Sequence, residues 1–257
     1  MSILENSSLN GLTVHVAASR LAMGTQAAAA IANEIRTGLQ MQPGVRIVFA
    51  AAPSQAEMLT ALRNESDIDW TRVTSFHMDE YIGLSPNAPQ RFGNWLRHAI
   101  FDHLPFAAVH LMNPGHDPTR SAIEYAANLN DEPIDIVCCG IGVNGHLAFN
   151  DPPAEFDDPL TVKIVNLDDI CRMQQVDDRC FAALNEVPTQ ALTMTIPALL
   201  AARAIFCTVP GPAKKDAVRR ALLEPIHPMC PASALRRHPR STIFLDSEAA
   251  ADLHPLA

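Results

Sequence analysis

The chain has no apolar run approaching the roughly 18 consecutive residues that a membrane-spanning helix requires, so no membrane partner is expected. Its first residues, Met1-Ser-Ile-Leu-Glu-Asn, have neither the basic start nor the apolar centre of a secretory leader. None of its six cysteines (Cys138, Cys139, Cys171, Cys180, Cys207 and Cys230) stands in a Cys-x-x-Cys pair, which argues against a zinc ribbon. Several lie inside apolar runs, where cysteine behaves as a small hydrophobe, and a reduced cytoplasmic protein is the expectation. There is no long basic run, and the formal net charge is −9. Nucleic acid is therefore not an expected partner. An anionic ligand would have to be held by a few local cations and backbone N–H groups, against the field of the whole molecule. Repeats, low-complexity tracts and dividing linkers are also missing, so residues 1–257 are read as a single domain.

What is present is an ordinary enzyme-like composition, with 48% apolar and 18% charged residues over 257 positions, long enough for a well-buried core. Apolar periodicity alternates between the strand and helix repeats. Strands are predicted over Leu12–Ala17, Val45–Ala52, Val73–Met78, Ile134–Cys139, Val162–Asn166, Ala191–Thr195, Ala204–Pro210 and Ser241–Asp246. Helices are predicted over Arg20–Met41, from Pro53 to Arg63, Phe92–Phe101, Thr119–Leu129, Met173–Leu184, Ala213–Leu223 and Pro231–Arg237. Ile31, Ile35 and Leu39 mark the inner face of the first helix; Ile123, Ala126 and Ala127 mark one face of the fourth. Ser54 and Glu57 have the spacing of a capping box. This alternation predicts an α/β protein, a Rossmann-like three-layer sandwich with a mostly parallel central sheet covered by helices on both faces.

The most informative stretch is Gly140-Ile-Gly-Val-Asn-Gly-His-Leu-Ala-Phe-Asn-Asp151. It follows directly on the strand that ends at Cys139. Its three glycines let the backbone turn sharply and approach a ligand, and Asn144, His146 and Asp151 follow at once. Open parallel sheets place ligands just past the carboxyl ends of their strands. A second such stretch is Phe76-His-Met-Asp-Glu-Tyr-Ile-Gly-Leu84, with Asp79 and Glu80 at the end of a predicted strand. A carboxylate there could move a proton from a carbon beside a carbonyl. Neighbouring strand residues Cys138 and Cys139 should point to opposite faces, which places them in the core.

Together these two stretches resemble the glucosamine-6-phosphate deaminase (isomerase) family, which carries a Met-Asp-Glu-Tyr and a Gly-His-x-x-Phe-Asn segment in this order. The sister 6-phosphogluconolactonases continue differently after Gly-His; here Leu147-Ala-Phe149-Asn150 follows. The resemblance spans about residues 45–250. It implies a fold of the kind predicted above, with a sugar phosphate as the small-molecule partner. The activity it implies is conversion of glucosamine 6-phosphate to fructose 6-phosphate and ammonia, without metal or organic cofactor. Galactosamine 6-phosphate, 6-phosphogluconolactone and a non-catalytic sugar-phosphate sensor are the alternatives, and a homo-oligomer is left open.

By the same resemblance Asp79 is the proton shuttle between C1 and C2, and His146 opens the sugar ring. Asn144 and Asp151 support that imidazole, at positions where many members have Asp and Glu. Asn144 is expected to accept a hydrogen bond from the ring and fix its tautomer. Phosphate is assigned to Ala51, Ala52 and Ser54 of the Ala50–Ser54 turn, where the family's glycines and hydroxyl are missing. Gly142 and Gly145, Arg172, and Lys214 of Gly211-Pro-Ala-Lys complete the set. His227 and Glu224 are placed on a candidate lid, and Pro231-Ala-Ser233 with His238-Pro239 supports the fold.

Overall fold

The computed structural model describes residues 6–9 and 12–253; Met1–Glu5, read above for a leader, lie outside these. The strands are β1 (Asn6–Leu9), β2 (Leu12–Ala17), β3 (Val45–Phe49), β4 (Val73–His77), β5 (Asp79–Tyr81), β6 (Ala108–Val109), β7 (Ile136–Cys139), β8 (Val162–Asn166), β9 (Gln190–Met194), β10 (Ala204–Val209) and β11 (Ser241–Asp246). The α-helices are α1 (Arg20–Met41), α2 (Ala56–Arg63), α3 (Phe92–Ala99), α4 (Pro118–Asn130), α5 (Asp169–Asp177), α6 (Ile196–Leu200) and α7 (Lys215–Leu223).

The central sheet runs β1-β2-β11-β10-β7-β3-β4-β6. Every pairing from β2 to β6 is parallel, and β1 adds to the β2 edge antiparallel. From β3 the chain moves outward to β4 and β6, then returns to β7 and moves the other way to β10 and β11. The direction of winding reverses between β3 and β7, and the crevice at their carboxyl ends is where such a sheet receives a ligand. A smaller antiparallel sheet, β5-β9-β8, stands beside it. Met78 joins the two sheets: its N–H donates to Phe49 of β3 at 3.2 Å, and its carbonyl accepts from Met194 of β9 at 2.8 Å. Asp79 is thus the first residue of the second sheet rather than the last of the first.

Alternate strand residues supply two cores. Val137 and Cys139 pack on one face with α4, α6 and α7; Ile136 and Cys138 pack on the other with α1, α2 and α3. The two adjacent cysteines do face opposite ways, as the period of a strand requires. Each fully buried aliphatic side chain, such as Ile31 or Ile35, contributes about 1.5–3 kcal/mol. Gly24 of α1 lies so close to α2 that a Cβ there would sit 2.7 Å from the Glu57 Cβ.

Local expectations failed where packing chose differently. Ser54 caps nothing: α2 has Gln55 at its N-cap without a side-chain bond, and Glu57 instead pairs with Arg20 at 2.7 Å. In α4, Ile123 is exposed, and Ala122, Tyr125 and Leu129 face inward. The phase is set by Tyr125, whose hydroxyl accepts from the His77 N–H and donates to the His77 carbonyl, both at 2.9 Å. The helix expected from Met173 to Leu184 begins earlier, because Asp168 accepts from the N–H groups of Ile170 and Cys171. It ends at Asp177, where Arg179 takes a left-handed φ of 60° and the Cys180 N–H turns back to the Gln175 carbonyl at 2.9 Å.

Candidate active site

At the crevice between β3 and β7 lies a pocket open to solvent. The turn after β3 contributes Ala51, Ala52 and Ser54; the glycine loop after β7 contributes Gly142 and His146; Asp79 and Lys214 come from β5 and from the start of α7. The two groups singled out in separate motifs, Asp79 and His146, share one cavity with a cation.

Asp79 is 6% exposed. Burial, and then the nearby Glu80 charge, push its carboxyl well above the ordinary carboxylate range. Such a group is a stronger base when ionised, which suits it to taking a proton from carbon. Glu80 is fully buried and committed elsewhere. It accepts from the N–H groups of Tyr81, Phe92 and Gly93 at 2.9, 3.1 and 3.0 Å, capping α3, and lies 3.4 Å from Arg91. His77 clamps the same strand end: one ring nitrogen lies 2.9 Å from the Asp79 carbonyl and the other accepts from the Met112 N–H at 2.8 Å. Burial lowers its pKa to about 3, so the ring is neutral.

His146 stacks over Gly142, where an added Cβ would fall 2.1–2.4 Å from ring atoms; only glycine permits that approach. Its Nδ1 is turned inward, 3.2 Å from Asp151 Oδ1, although not aligned as a hydrogen bond. The opposite nitrogen, Nε2, is left to the cavity. Asp151 therefore reaches the imidazole despite its shorter side chain. Burial favours its protonation, but contacts with His146, the Asn144 amide and the Asp168 N–H outweigh this and hold it below the ordinary value. Asn144 does not accept from the imidazole as expected. Its Oδ1 accepts from the His146 backbone N–H at 3.1 Å and its amide donates to Asp151 at 3.0 Å, because the tight loop brings the backbone within reach before the ring.

Lys214 is 7% exposed and faces the cavity. Gly211, at φ +90°, donates its N–H to both Asp246 carboxylate oxygens at 3.0 Å, and this anchored turn presents the lysine. Burial lowers its pKa to about 8, with Asp178 pulling the other way.

Besides Asn144 and Asp151, which stand behind His146, two residues assigned to substrate or phosphate binding lie outside the cavity. Arg172 points away: it pairs with Asp169 at 2.7 Å and donates to the carbonyls of Leu184 and Val187 at 2.7 and 3.0 Å. On α5 the inward face belongs to Cys171, Gln174 and Gln175, so the next position in the helix cannot share it. Gly145, at φ +91°, serves the turn and packs on Cys230. The candidate lid pair is also elsewhere: Glu224 binds Arg219 at 2.9 Å, and neither it nor His227 lines the cavity.

Conversely, Gln55, Gln174 and Gln175 line the cavity unannounced. Gln55 exchanges bonds with Thr208, accepting from its hydroxyl at 2.6 Å and donating to its carbonyl at 3.1 Å. Gln174 accepts from the Val143 N–H at 2.9 Å and steadies the glycine loop. Two adjacent amides within a helix that also buries a cysteine were the available signal.

Residues 18–244 match the family described as glucosamine-6-phosphate isomerases/6-phosphogluconolactonase. A curated glucosamine-6-phosphate deaminase of Listeria welshimeri is 34% identical over 233 residues, 90% of this chain and 96% of that protein. One of Lysinibacillus sphaericus is 37% identical over 191 residues, covering 74% of this chain and 85% of the relative. A solved monomeric glucosamine-6-phosphate deaminase superposes with a TM-score of 0.84 at 26% identity, over 93% of this chain and 98% of the other. The 6-phosphogluconolactonase of Trypanosoma brucei has a TM-score of 0.78 at 18% identity, over 95% and 99% of the two chains, and shows the fold alone. The chain therefore belongs to the glucosamine-6-phosphate isomerase/6-phosphogluconolactonase family.

Proposed function

We propose that this chain is a glucosamine-6-phosphate deaminase. The observation that carries the reading is the cavity that holds an elevated carboxyl, an imidazole backed by a carboxylate, and a buried lysine. His146 Nε2 takes the proton of the C1 hydroxyl and passes it to the ring oxygen as the C1–ring-oxygen bond breaks, and the open aldehyde forms. Asp79 takes the C2 proton, generating an enolamine, and returns it at C1. Water then adds to the resulting C2 imine, and fructose 6-phosphate and ammonia leave. The substrate's own aldehyde and amine supply the electron sink. Asp151 stabilises the imidazolium transiently formed.

Phosphate binds between Lys214 and the Ala51–Ser54 turn. Ser54, free of any capping duty, offers its hydroxyl there. All six cysteines are free thiols, which fits a reducing cytoplasm. Among the described residues no helix is long and apolar enough to cross a membrane.

The test is ammonia release from purified protein with glucosamine 6-phosphate, followed by a coupled dehydrogenase assay, with galactosamine 6-phosphate and 6-phosphogluconolactone as comparators. Turnover of the first well above the others supports the reading. Lactone hydrolysis without ammonia release overturns it.

A further inference from the structure

Behind His146, on the side away from the substrate cavity, three chemically different side chains converge. A ring nitrogen of His146, a carboxylate oxygen of Asp151 and the Cys171 sulfur lie within 4.8 Å of one another. The nitrogen facing Asp151 is Nδ1, at 3.2 Å. This atom is buried and lacks an aligned hydrogen-bond partner, and His146 and Cys171 are 8% and 0% exposed. The reaction outlined above has no use for the thiol.

Imidazole, carboxylate and thiolate together suit zinc and its soft neighbours. Bond lengths for zinc imply ligand-to-ligand separations of about 3.4–3.6 Å in a tetrahedral shell, so a contraction on the order of 1 Å brings the three atoms into place. The elements that carry them are already tied together: Asp151 accepts the Asp168 N–H at the start of α5 at 3.0 Å, and the Gln174 side chain of α5 accepts from Val143 in the loop that holds His146.

We propose that His146 Nδ1, Asp151 and Cys171 form an inhibitory site for a thiophilic divalent cation, zinc above all. The cation displaces the thiol proton to solvent and is bound by three protein ligands, with water as the fourth. A metal on Nδ1 leaves Nε2 protonated toward the cavity and engages Asp151. The imidazole can then no longer accept a proton, although the cavity itself stays open. Zinc therefore lowers kcat and leaves KM for the sugar phosphate unchanged, unlike a metal that binds in the cavity and competes with substrate.

The experiment titrates reduced, chelator-treated full-length protein with cobalt(II), and with zinc in competition with a chromophoric chelator. One equivalent should bind, with a near-ultraviolet thiolate-to-cobalt charge-transfer band. Cys171→Ser should abolish that band and weaken zinc at least tenfold, while Cys230→Ser retains both. A band that survives Cys171→Ser, or the lack of stoichiometric binding, overturns the site. Should Cys171→Ser fail to fold, zinc X-ray absorption of the unmodified protein decides: one sulfur near 2.3 Å supports the site, and a shell of nitrogen and oxygen alone overturns it. The binding half does not rest on the deaminase reading. If no ammonia is released from any hexosamine 6-phosphate, that reading fails while the cobalt spectrum still decides the site. Given turnover, zinc inhibition that is competitive with substrate overturns the inhibitory mechanism.

Discussion

Gly142 and the His146 imidazole occupy the same small volume: a Cβ on the glycine would lie 2.1 Å from His146 Cε1. Neither backbone can retreat cheaply, since the Gly142 N–H donates to the His146 carbonyl at 3.0 Å. The ring is the movable part. Gly142→Ala is expected to tilt it out of line and lower kcat on the order of 10²-fold, with an unchanged circular dichroism spectrum. Unaltered kcat in a folded variant would show that the imidazole position is not critical.

Asp79 trades stability for reactivity. Its folded pKa lies above the unfolded value, so the native state holds the proton to higher pH than the unfolded chain does. The corresponding stability is fully present below the unfolded value and is lost as pH rises through the folded one. Asp79→Asn removes that loss. The variant is expected to melt at higher temperature than the parent at pH 7, with ammonia release abolished and sugar phosphate still bound. For the parent, the acid limb of kcat/KM should fall above the ordinary carboxylate range.

Lys214 sets the alkaline limb. Burial lowers its pKa to about 8, so the free enzyme loses this cation as pH rises through that value. kcat/KM for the sugar phosphate should fall above about pH 8 through the loss of phosphate attraction. Lys214→Met should raise KM already at pH 7 and flatten the alkaline limb. A limb that persists in Lys214→Met assigns it to another group.

Arg172 is structural by its contacts. Arg172→Met frees the Leu184 and Val187 carbonyls and should cost about 1.5–3 kcal/mol of unfolding free energy, read by urea denaturation. KM at 25 °C should stay within twofold. A tenfold rise in KM without loss of stability would return Arg172 to phosphate binding.

Asp79, His146 and Lys214 are singled out in the sequence because short segments around them resemble the family's, and each such segment, a strand end or tight turn, delivers its side chain to the crevice. Arg172 and Gln175 could not be told apart in the same way. Both are polar residues on one short helix, and which of them looks inward depends on how that helix is rotated against the sheet.

The order of the longer strands and helices was determined by the sequence alone, because apolar period and backbone-restricting residues act over a few positions. So was the glycine loop that makes room for an imidazole, whereas the short strands β1, β5 and β6 were not legible there. Tertiary structure alone decided that Asp79 opens a second sheet, that Ser54 is free of a capping role, and that Cys171 lies behind His146. Those outcomes depend on contacts between segments far apart in the chain, where the packing of many side chains outweighs the preference of any one.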